Sequence, residues 1–120
     1  MEILDFQEPC LPVNSISLSF SRRNLSPYFI EYSFGDIYTR DGLDLKSKEI
    51  AVVAALTAMG TALPQLKVHL NGALNTGSSV NEVKEVILQM AVYSGFPSSI
   101  NGMNALKEVL KDVVNERTKK

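Results

Sequence analysis

From Ser26 onward, apolar residues return at helical spacing in five successive segments, and each segment carries a start or stop signal at its ends. Ser26-Pro27 places an N-cap serine before a proline at the first helical position. It opens a helix to about Tyr38 in which Ile30, Phe34 and Ile37 mark one face and Phe29 and Tyr32 another. A helix apolar on more than one side is expected to be buried on more than one side. Asp41-Gly42 ends it in a turn. The second segment, Ser47 to Met59, sets Glu49, Val52, Val53 and Leu56 at i, i+3, i+4 and i+7, with Ala51, Ala54, Ala55 and Ala58 opposite. Neither face is charged, so this helix is expected to be central. Gly60 closes it.

The third segment, Leu63 to Asn75, has the stripe Leu63, Leu66, Leu70, Ala73 and Leu74, with Gly77 as a left-handed stop. Ser79-Val80-Asn81-Glu82 then matches a capping box. The fourth segment runs to about Ser94 on a core face of Val83, Val86, Ile87 and Met90. Gly95-Phe96-Pro97 makes a corner into the fifth, Pro97 to Glu116, amphipathic through Met103, Leu106, Val109, Leu110 and Val113. Upstream, Ile16, Leu18 and Phe20 alternate weakly, but no later segment offers a partner strand. The pattern predicts an all-α chain: an N-terminal arm over residues 1–25 and one helical domain over 26–120.

Composition narrows the function classes. With 120 residues, 45% hydrophobic and 21% charged, the chain has the make-up of one globular domain. Twelve basic against 13 acidic residues leave a net charge of −1, which offers no electrostatic footprint for nucleic acid or an anionic membrane. The one cysteine, Cys10, makes no intrachain disulfide, so a cytoplasmic setting is expected and Cys10 reads as a spectator thiol. The first twenty residues lack the charge and apolar pattern of a signal peptide. The longest apolar run, Ile50 to Met59, is about half of what spans a bilayer. Neither a metal-ligand cluster nor a phosphate loop is present, and no cofactor is expected.

Three sets of residues carry candidate chemistry. Glu49 is either a first-turn carboxylate stabilised by the helix dipole or an acid whose burial on an apolar face favours its neutral form. His69, the sole histidine, stands at the margin of its stripe. It is either a hydrogen-bonded core residue, as lone histidines more often are, or the side chain suited to proton transfer near neutral pH. Glu82, Glu85, Gln89 and Tyr93 form a separate polar stripe at i, i+3, i+7 and i+11. That stripe is either solvent surface or, the reading preferred here, a hydrogen-bonding seam between subunits.

The run TRDGLDLKSKEIAVVAALTAMG followed by PQLKVHLNGALNTGSSVNEVKEVILQMAVYSGFPSSINGMNALKEVL resembles the carboxymuconolactone decarboxylase family, over Tyr28 to about Val114. Its most specific parts are H-x-x-x-A-L-x-x-G from His69 to Gly77 and E-x-x-x-Q-x-x-x-Y-x-G-x-P from Glu85 to Pro97. The resemblance implies an all-helical, AhpD-like fold assembled as a homo-oligomer, usually a trimer or hexamer, with sites near subunit interfaces. The family's thiol-peroxidase branch uses a glutamate, a C-x-x-C pair and a histidine. Glu49 and His69 fall where that glutamate and histidine fall, but Gly60 to Gln65 contains no cysteine, so a dithiol peroxidase is excluded. What remains resembles the decarboxylase branch, a lyase acting in aromatic catabolism on a small carboxylated lactone or related organic acid. In that reading Glu49 and His69 are catalytic, and Arg40, Gln89 or Tyr93 binds substrate. Lys48 stands where many relatives carry arginine, a departure that weakens bidentate carboxylate binding there. The competing reading is a non-catalytic oligomeric binding or accessory protein of the same fold.

Overall fold

The computed structural model describes residues 25 and 27–119. The N-terminal arm through residue 24 with Cys10, and the Ser26 cap, lie outside the described residues. Two compact units divide the chain between Gly42 and Leu43.

The first unit contributes helix α1 (Ile30–Ile37), which is wound as a π-helix. Its register is visible where the Tyr38 N–H donates to the Ser33 carbonyl at 2.8 Å, an i→i+5 bond. A helix was expected here, but with ordinary winding and burial on two faces. Instead none of its residues is buried, and Phe29, Tyr32, Phe34 and Ile37 are exposed. The wider turn explains how its rings are used. Phe34 packs edge-on against Phe29, five residues back, with centroids 5.8 Å apart, and stacks on Tyr38 at 5.5 Å. The rings cover one another along the helix instead of filling separate faces.

The second unit is four α-helices: α2 (Leu45–Met59), α3 (Leu63–Asn75), α4 (Val80–Ser94) and α5 (Phe96–Thr118). No strand occurs among the described residues, and the all-α class holds. Helix α2 starts two residues earlier than expected because Asp44 serves as its N-cap, its carboxylate accepting from the Ser47 N–H at 2.9 Å. Hydrogen bonding from the Ser47 side chain, and after it from the Ser47 N–H, holds the Asp44 carboxyl below its ordinary range. Gly60 ends α2 as expected, in a left-handed conformation at φ +70°. The capping box on α4 is complete: Glu82 N–H donates to Ser79 Oγ, and Ser79 N–H donates to Glu82 Oε1. The same Ser79 N–H, reinforced by Lys46, keeps the Glu82 carboxyl below its usual value. Lys46 at the head of α2 pairs with Glu82 at 3.1 Å, tying two helix starts together.

Helix α2 packs against all three of the others. Glu49, Val53 and Thr57 form its buried line at i, i+4 and i+8, whereas Ala51 and Ala55 are exposed. Thr57 interrupts the apolar run in sequence yet is buried, because its hydroxyl donates to the Val53 carbonyl at 2.7 Å. Around this line lie Leu66, Leu70 and Ala73 of α3, Val83 and Ile87 of α4, and Ala105, Leu106 and Val109 of α5. Gly102 lets α5 approach closely: a β-carbon there would stand 2.9 Å from Thr57 Cγ2 and 3.0 Å from Ile87 Cγ2. Ser99 adds a hydrogen bond to the Ile87 carbonyl at 2.9 Å. No described helix is long and apolar enough to cross a membrane.

Candidate active site

Glu49 and His69 lie twenty residues apart in sequence, one on α2 and one on α3, and the packing of these helices brings them into contact. His69 Nδ1 and Glu49 Oε2 are 2.8 Å apart. Glu49 is the only charged residue among the described buried side chains, at 8% exposure. Because α2 begins at Leu45, Glu49 stands beyond its first turn, and the expectation of a first-turn carboxylate does not hold. The His69 side chain, a quarter exposed, sits at the edge of the core as its place on the stripe implied.

The chemistry of the contact follows from donor and acceptor inventories. An ionised carboxylate only accepts, so with Glu49 ionised the proton in this bond sits on Nδ1. In that arrangement the carboxylate steadies an imidazolium when one forms. A buried carboxylate needs such a partner, since desolvating an unpaired charge is costly. The remaining space is supplied by Gly72, one turn beyond His69 on α3. A β-carbon built there would stand 2.8 Å from Glu49 Oε2 and 3.0 Å from its carboxyl carbon. Sequence reasoning passed over this residue, although a glycine inside a regular helix, three residues after the lone histidine, was the available signal.

The other candidates are placed differently. Gln89 and Tyr93 lie on the exposed face of α4 with Glu85, and Tyr93 is 75% exposed. None of the described hydrogen bonds joins either to the Glu49–His69 pair. Arg40 is exposed just after α1 in the first unit, its N–H donating to the Ile37 carbonyl. Among the described residues no group of three or more His, Cys, Asp or Glu is placed to hold a metal ion.

The all-α scaffold thus sets an imidazole against a buried carboxylate. Residues 24–108 match the carboxymuconolactone decarboxylase family, and the chain belongs to that family. It is 29% identical over 97 residues to the 4-carboxymuconolactone decarboxylase of Acinetobacter baylyi, covering 81% of this chain and 72% of that protein. It is 30% identical over 101 residues to the nitrosuccinic acid decarboxylase npaB of Metarhizium robertsii, covering 78% of this chain and 70% of the relative.

Proposed function

We propose that the protein is a cofactor-free carboxy-lyase acting on a small organic acid, with His69 as the proton donor and Glu49 as its orienting carboxylate. The observation that carries this is the 2.8 Å contact between the chain's sole histidine and a buried carboxylate. The two named relatives support the reaction class: both are decarboxylases, one of a carboxylated lactone and the other of a nitro acid. In such a reaction the bond from carbon to carboxylate breaks and CO2 departs. The electron pair stays on carbon, spread into a neighbouring electron-withdrawing group, and a proton must then be delivered to it. The Nε2–H of a His69 imidazolium supplies that proton, and the neutral imidazole is reprotonated from solvent. Substrate oxygens need polar partners, and Arg40, Gln89 and Tyr93 are the candidates on their chemistry.

The test is CO2 release by the purified protein from carboxymuconolactone and from nitrosuccinate, with loss of the lactone's ultraviolet absorbance as a second readout. Turnover of either supports the lyase reading. A folded protein that binds these acids but releases no CO2 from any of them would instead favour the binding-protein reading.

A homo-oligomer forms part of the proposal. Leu88, Val92 and Tyr93 on α4, with Phe96 and Ile100 at the start of α5, are large apolar or amphipathic side chains left exposed on one chain. Exposed surface of this kind suits burial against further copies. Sedimentation at micromolar concentration is expected to give a trimer or hexamer, and a monomer would remove this element of the proposal.

A further inference from the structure

We propose that Gly72 is a positioning residue: by lacking a β-carbon, it opens the notch in α3 through which the Glu49 carboxylate reaches His69. Backbone conformation does not explain a glycine at this point. Gly72 lies inside a regular α-helix, and the glycines with positive φ are Gly60, Gly77 and Gly95. A glycine in a helix interior is destabilising relative to alanine, so its presence calls for a compensating contact. That contact is specific. The three atoms nearest to an added β-carbon are Oε2, Cδ and Oε1 of Glu49, at 2.8, 3.0 and 3.4 Å. The closest of them, Oε2, is the atom that meets His69 Nδ1.

Gly102 provides the contrast. Its added β-carbon would also be crowded, but by side-chain atoms of Thr57 and Ile87, whose nearest members are methyl groups, so its role is helix packing. At Gly72 the crowding falls wholly on the end of one polar side chain. His69 and Gly72 are three residues apart and share a face of α3, so one helical turn supplies both the imidazole and the clearance for its carboxylate. A glutamate has rotamers with which to withdraw. A methyl group at position 72 therefore displaces the carboxylate from Nδ1 more readily than it disrupts the helix.

The catalytic consequence rests on the lyase reading above, but the positioning does not, and one experiment separates them. The full chain contains one histidine, so its imidazole 15N signals are unambiguous and report hydrogen bonding at Nδ1. Gly72→Ala is expected to move the Nδ1 signal to its position in Glu49→Ala, and to lower CO2 release to the Glu49→Ala level. In the Glu49→Ala background the same substitution is expected to leave signal and rate unchanged and to raise the melting temperature, because no carboxylate remains to be displaced. Should Gly72→Ala fail to fold, recovery of folding in the double variant supports the same conclusion, and failure in both backgrounds overturns it. An Nδ1 signal unmoved by Gly72→Ala, or an equal loss of stability in both backgrounds, also overturns it. If the signal moves while even the unaltered protein releases no CO2, the positioning stands and the lyase reading falls.

Discussion

Replacing His69 with alanine is expected to lower the rate of CO2 release about 100- to 10,000-fold, the usual contribution of a positioned acid or base. The fall should appear equally in kcat and kcat/KM, since proton delivery is made in the transition state and not in substrate binding. No second histidine exists to take over, and the loss is therefore expected to be deep. The variant also leaves the Glu49 carboxylate without the imidazole that accounts for its burial. Some loss of stability will accompany the loss of rate. Circular dichroism at the assay temperature distinguishes a folded, inactive variant from a melted one.

The largest effect on stability is expected in the core. Ile87 is fully buried on α4, its Cγ2 lies at the close approach to Gly102, and its carbonyl accepts from Ser99. Truncation to alanine removes buried methyl groups at a place where α2, α4 and α5 meet. A cost of about 2–5 kcal/mol follows. That is a large part of the roughly 5–15 kcal/mol by which an ordinary domain is stable. Urea unfolding is the appropriate measurement: the midpoint should fall while the slope stays unchanged, because the surface exposed on unfolding is nearly the same.

Much of this architecture could be read directly from residue order, for identifiable reasons. Capping signals are local, so Gly60, Gly77 and the Gly95-Phe96-Pro97 corner place the C-terminal ends of α2, α3 and α4, and Ser79 with Glu82 the start of α4. The stripes are periodic: Leu66, Leu70 and Ala73 of α3 and Val83 and Ile87 of α4 are buried, while Leu63, Leu74, Val86 and Met90 at their margins are half-buried. The readings that failed depended on information outside the segment concerned. The π winding of α1 has no signature in a 3.6-residue pattern, and its ring pairs arise only once that winding is present. Asp44 caps α2, which begins two residues ahead of the expected start. Burial of Thr57 depends on a hydrogen bond to its own helix.

The site was legible as two residues but not as a contact. Periodicity placed Glu49 and His69 on core-facing margins of neighbouring helices. Family resemblance gave them a common purpose, but only the packing of α2 on α3 shows Nδ1 and Oε2 within hydrogen-bonding distance. Gly72 was illegible for the opposite reason. A missing side chain leaves no mark on a hydrophobic pattern, and its meaning appears only when the neighbouring carboxylate occupies the space.

The claim that Glu49 works through His69 is tested most directly by a double-mutant cycle on CO2 release. Rates are compared for the unaltered protein, Glu49→Ala, His69→Ala and the double variant. If the two act as one proton-transfer pair, each single variant is slow and the double variant is no slower than His69→Ala alone. Single variants as fast as the unaltered protein, or losses that simply multiply in the double variant, would contradict it.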